Sequence, residues 1–69
     1  MRNWLKTIRC KKNYTQRYVA EKIGITQQYY NLIECGERQK QLSVSLATNF
    51  SEIFGVPIEW IIEQENKTA

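Results

Sequence analysis

The sequence predicts an all-α fold, a compact bundle of five short helices. Three observations carry that reading. Apolar residues recur at helical spacing, hydroxyl residues stand where helices should begin, and glycines stand where they should end. Helix 1 is expected over residues 3–12, with Trp4, Leu5 and Ile8 as its apolar stripe and Asn13 taking the left-handed turn that ends it. Helix 2 spans 16–23 behind Thr15, whose hydroxyl can accept a bond from an orphan N–H, and Gly24 follows its last apolar residue, Ile23. Helix 3 spans 27–35 behind Thr26 and closes at Gly36. Residues 37–42, ERQKQL, are polar, basic on balance, and read as a loop. Ser43 caps helix 4, where Val44, Ala47, Phe50 and Phe54 recur at helical spacing up to Gly55. Pro57 fits the first turn of helix 5, where its missing N–H costs nothing, and Ile58, Ile61 and Ile62 supply the apolar side. The folded domain is expected to end at residue 62, with 63–69 a polar C-terminal tail.

Composition excludes several functional classes. Sixty-nine residues allow one domain, and a chain of that length buries only about 60% of its unfolded surface, so a partner subunit would add useful burial. No apolar run approaches the roughly 20 residues that span a bilayer, and MRNWLK turns polar too soon for a secretion signal. A soluble, cytoplasmic protein is expected. Cys10 and Cys35 lack CxxC spacing and the chain has no histidine, which argues against a zinc site. The two cysteines read as free thiols. Without histidine or a glycine-rich phosphate loop, the usual catalytic constellations lack their players, so neither enzyme activity nor a cofactor is expected.

Charge is unevenly placed. Residues 1–40 hold nine Lys/Arg against Glu21, Glu34 and Glu37, while 41–69 hold Lys67 against four glutamates, and the halves of +6 and −3 make the net +3. The basic half contains residues 16–33, QRYVAEKIGITQQYYNLI, two short amphipathic helices joined by a tight turn. That is a helix-turn-helix signature, and a basic footprint around it suits a phosphate-binding face. At about 100° per residue, Gln27, Gln28, Asn31, Leu32 and Cys35 share an arc of roughly 140° on helix 3. Tyr30 and Ile33 lie opposite and can pack on Val19, Ala20 and Ile23. The exposed arc is thus rich in amides at its N-terminal end, and Gln27 and Gln28 can bond bidentately to adenine in the major groove.

Four motifs together carry a family resemblance: LKTIR at 5–9, TQRYVAEKIGIT at 15–26, IECGER at 33–38 and FGVPIEWII at 54–62. The chain resembles the Cro/phage-repressor (Xre-type) helix-turn-helix family, whose lambda-repressor-like fold is a five-helix bundle that usually binds operator DNA as a symmetric dimer. The resemblance implies base contacts from Gln27, Gln28 and Leu32, and a phosphate contact from Gln16, which often buttresses the recognition helix. It also implies a salt bridge between Arg9 and Glu34 joining helix 1 to helix 3. Asn31 on the same arc is a further candidate for base contact, and Arg17, Arg38 and Lys40 are candidate phosphate contacts. Three residues depart from the family pattern. Tyr30 stands where Ile or Val is favoured, and is expected to set helix 3 slightly further from helix 2. Leu32 cannot hydrogen-bond a base but can pack on a thymine methyl. Cys35 replaces the usual asparagine. The segment after Gly36 is about two residues longer than the common family pattern.

The expected function is sequence-specific binding of double-stranded DNA as a homodimer, most simply as a Cro-like repressor of a near-palindromic operator. No membrane and no small-molecule effector enter this reading. The competing class is a protein-interaction module, such as an antitoxin or antirepressor, on the same bundle. Leu32, Trp60 and the acidic C-terminal half keep it open. Trp4 and Trp60 read as core, with a subunit contact as the alternative.

Overall fold

Capping chemistry decides where the helices start and stop. The computed structural model describes residues 2–39 and 41–68. Among them lie five helices: α1 (Asn3–Lys11), α2 (Gln16–Ile23), α3 (Gln27–Cys35), α4 (Val44–Phe54) and α5 (Ile58–Thr68). Thr15 Oγ1 accepts from the Tyr18 N–H at 3.0 Å, Thr26 Oγ1 from the Tyr29 N–H at 3.1 Å, and Ser43 Oγ from the Leu46 N–H at 3.2 Å. Each bond satisfies a donor that the first turn of a helix cannot satisfy itself. At the far end of α2, Gly24 takes a left-handed φ of 78°. The N–H groups of Gly24 and Ile25 turn back to the carbonyls of Glu21 and Ala20, which is a Schellman closure. Helix α1 closes in the same way on Asn13 (φ 61°), whose short amide tolerates that region.

Two boundaries of the last helix depart from expectation. Pro57 stands one residue before α5, and its carbonyl accepts from the Trp60 and Ile61 N–H groups at 3.0 and 3.4 Å. The polar stretch after Ile62 is helical through Thr68 rather than a tail. Glu63 and Lys67 pair at 3.4 Å one turn apart, and Glu65 reaches back to Arg2 and Trp4. Those contacts supply what the missing apolar residues do not.

The core gathers Leu5 and Ile8 from α1, Val19 and Ala20 from α2, Tyr30 and Ile33 from α3, four residues of α4 and Ile61 of α5. Helix α2 packs on α3 and α4, α4 on α5, and α1 on α3. Small Ala20 lies buried on the α2 face. The Tyr30 ring, large for its position, is fully buried and meets Phe50 of α4 edge-to-face with centroids 6.2 Å apart. Trp4 and Trp60 meet edge-to-face at 5.9 Å on the rim of the core, linking α1 to α5. Among the described residues no helix is long and apolar enough to cross a membrane, and no group of His, Cys, Asp or Glu could hold a metal.

One ion pair fixes α3 on its support. Glu34 points inward with 2% of its surface exposed. Arg9 donates to it through Nε at 3.1 Å and Nη2 at 3.3 Å, and spends Nη1 on the Tyr14 carbonyl at 2.9 Å. The bond to Glu34 holds the Arg9 pKa above its ordinary value, against the desolvation that opposes it. Removing the cation would strand a buried carboxylate. Arg9→Ala is therefore expected to lose about 3–5 kcal/mol of stability. Exposed Lys6→Ala should stay within roughly 0.5 kcal/mol of the parent. Urea unfolding of the two variants measures the difference, and equal midpoints would refute the assignment.

The Tyr30 hydroxyl is buried with no hydrogen-bond partner among the described residues. Burial pushes its pKa far up, the nearby Glu34 carboxylate reinforces the rise, and Arg9 opposes it. In the unfolded chain a phenol ionises near pH 10, so above about that pH the unfolded state sheds a proton the folded state keeps. Stability is undiminished below that value and falls as pH rises beyond it. Tyr30→Phe should match the parent at neutral pH or gain up to ~1 kcal/mol. Between about pH 9 and about pH 11 it should lose less melting temperature than the parent. A loss as steep as the parent's would show that Tyr30 does not set the alkaline limit.

Candidate nucleic-acid interface

Helix α3 presents its polar side because its other side is committed. Tyr30, Ile33 and Glu34 are buried, whereas Gln27, Gln28, Asn31 and Cys35 are exposed and Leu32 is half-buried. The tight connection between Gly24 and Thr26 sets α3 across α2, with half-buried Ile25 packed against the core. Gln16 opens α2 beside this face. Together Gln16, Gln27, Gln28 and Asn31 line a shallow cleft of about 420 Å³.

The amides in that cleft are not equivalent. Gln16 Nε2 donates to Asn31 Oδ1 at 3.1 Å and lies 3.5 Å from Glu34 Oε1. One side chain of α2 thus touches both the exposed and the buried face of α3. The Cys35 thiol also approaches Asn31 Oδ1, at 4.0 Å. With its oxygen engaged, Asn31 has its NH₂ left to donate. Bidentate reading of adenine needs both ends of an amide. Gln27 and Gln28 form no side-chain hydrogen bond among the described residues and keep both ends for a ligand. Neither α2 nor α3 carries an acidic residue in its first turn, which leaves the positive ends of both helix dipoles unopposed.

The cations divide in a way their count conceals. Arg9 is committed to Glu34, and Arg2 is 3% exposed and paired with Glu65. Arg17 pairs with Glu21 at 3.0 Å, but both side chains are well over half exposed. Such a pair is worth at most about 1 kcal/mol. Lys22 lies 5.4 Å from the centre of the Tyr18 ring. Lys6, Lys11, Lys12 and Arg38 are exposed, and Lys40 lies outside the described residues. Cys10 and Cys35 are exposed free thiols. The structural roles of Arg2 and Glu65 escape sequence reasoning, since no local pattern links residues 63 positions apart. Leu32 is half-buried at the edge of the face.

A helix-turn-helix family model matches residues 5–61. Over 45 residues the chain is 44% identical to an uncharacterized HTH-type transcriptional regulator, YqaF, of Bacillus subtilis (strain 168). That match covers 65% of this chain and spans 59% of the relative's length. No solved structure matches the chain. The capped α2–α3 pair, the amide-lined face of α3 and a family match over most of the sequence lead to one conclusion: the chain belongs to the Xre-type helix-turn-helix family.

Proposed function

We propose that this protein is a DNA-binding transcriptional regulator, a Cro-like repressor that occupies a near-palindromic operator as a homodimer. The observation that carries the reading is the amide pair Gln27 and Gln28, exposed at the N-terminal end of a helix whose opposite face is locked into the core. Family membership and the printed name of the Bacillus relative support the same class. In this reading Gln27 and Gln28 contact base edges, with Asn31 as an added donor and Leu32 against a thymine methyl. Gln16, Arg17, Arg38 and Lys40 meet phosphates, which supply affinity and orientation. Two subunits would set their α3 helices about 34 Å apart in successive major grooves. Val44 and Ile62, at 77% and 51% exposure, offer apolar surface for the contact between copies.

A second reading is a protein-interaction module, an antitoxin or antirepressor on the same bundle. What favours it is a groove of about 300 Å³ flanked by Trp4, Thr7 and Trp60, away from the amide cleft. The two classes differ in salt response. A DNA-binding protein loses affinity for mixed-sequence duplex steeply as salt rises, because phosphate contacts release counterions. A flat response, or no binding, would favour the interaction module.

Selection of duplexes from a random pool would supply a site, and footprint spacing would test the two-subunit geometry. On that site Gln28→Ala should weaken binding by about 1–3 kcal/mol while leaving mixed-sequence binding unchanged. An equal loss on both duplexes would remove Gln28 from the base-reading set.

A further inference from the structure

Arg2 occupies the N-cap of α1, where short polar acceptors are usual, yet its side chain makes no cap bond. It is directed elsewhere. Its backbone N–H donates to the Glu34 carbonyl at 2.9 Å. Its Nη1 donates to the carbonyls of Ile33 at 2.5 Å and Arg38 at 3.2 Å, and its Nη2 donates to the Gln39 carbonyl. Its Nε lies 3.0 Å from the Glu65 carboxylate, which also accepts from Trp4 Nε1 at 3.2 Å. One residue thus ties the end of α3, the loop behind it and α5 together.

The chemistry of that site is specific. Ile33 and Glu34 are among the last carbonyls of α3, which the helix cannot satisfy alone. A fixed cation there complements the negative end of the helix, and α3 has no basic residue in its own last turn. Gln39 adopts a φ of 54°, rare for a residue other than glycine, and its carbonyl still meets the guanidinium. Between these anchors sits Arg38, its carbonyl held and its residue exposed. Arg2 and Glu65 both fall outside residues 5–61, the segment that matches the family.

We infer that Arg2, braced by Glu65, is a positioning residue for Arg38: it fixes the backbone behind α3 so that Arg38 meets a DNA phosphate at a set distance from Gln27 and Gln28. The inference rests on the DNA-binding reading. It makes the loop after α3 part of the interface only while the guanidinium fork holds it.

A double-mutant cycle on the full chain tests this, reading affinity for mixed-sequence duplex against salt. In the parent, Arg38→Gln should lower affinity about five- to tenfold near roughly 0.1 M salt and make the salt slope shallower by about one. Lysine keeps a charge but cannot fork to several carbonyls. In an Arg2→Lys background, Arg38→Gln should therefore cost less than about twofold. If Arg2 only stabilises the fold, the two losses add and Arg38→Gln costs the same in both backgrounds, which overturns the inference. Should Arg2→Lys not fold, Glu65→Gln replaces it, and the Arg38→Gln effect should still shrink at least about twofold. Amide exchange gives a readout without DNA. The Glu37 and Arg38 N–H groups, bonded to the Leu32 carbonyl at 2.9 and 3.2 Å, should exchange faster in the variant relative to amides of α4. Unchanged relative protection overturns the clamp. If the parent binds duplex but Arg38→Gln changes nothing, the inference fails and the DNA-binding reading stands. If the parent shows no salt-dependent binding, both fail.

Discussion

A carboxylate almost wholly removed from water must be answered by a cation, and Glu34 imposes that condition on the structure around it. Arg9 answers from α1 with two bonds and uses its remaining nitrogen on the Tyr14 carbonyl, so the pair also pins the turn leading into α2. Gln16 approaches the same carboxylate from α2. Three helices therefore meet at one charged group on the inward side of α3. Such a pair contributes little net stability over a well-packed apolar alternative, but an arrangement that breaks it is heavily penalised. The consequence is a single rotational setting for α3: Tyr30, Ile33 and Glu34 inward, Gln28, Asn31 and Cys35 outward.

The two ends of α3 are held by different means. Its start is set locally, by the Thr26 cap and the Gly24 turn. Its end combines the Gly36 closure with a guanidinium supplied from the beginning of the chain. In the proposed complex, a helix fixed at both ends and along its inner face would lose little freedom on a rigid duplex, so less binding energy would go into ordering it. The amide face is prepared in advance, with Gln27 and Gln28 uncommitted and Asn31 already oriented by Gln16.

What the sequence makes legible is what neighbouring residues decide. Thr15, Thr26 and Ser43 mark helix starts because a cap bond spans three residues, and Asn13 and Gly24 mark ends because left-handed backbone favours those types. Much of the interior follows from helical periodicity, as does the outward arc of α3, but Val44 and Ile62, which helical spacing groups with the apolar side, stay exposed. Arg2 and Glu65 are not readable, because their pairing depends on how α5 comes to rest beside α1. The helical state of residues 63–68 is hidden for the same reason: the stretch looks polar and unpartnered until Glu65 meets Arg2. Charge counting misleads in a related way. It treats Arg2, Arg9 and Lys6 alike, although only the last of these is exposed.

The bond between Gln16 and Asn31 bears on how binding preference can change over time. Gln16 holds the Asn31 oxygen, so what Asn31 offers at the surface is conditional on the residue at position 16. Replacing Gln16 frees an acceptor on the next helix and alters what Asn31 offers, with no change at position 31 itself. In the proposed complex, drift toward a new operator would pass through the pair jointly. Grafting the outward residues of α3 alone onto a relative would carry across only part of the code.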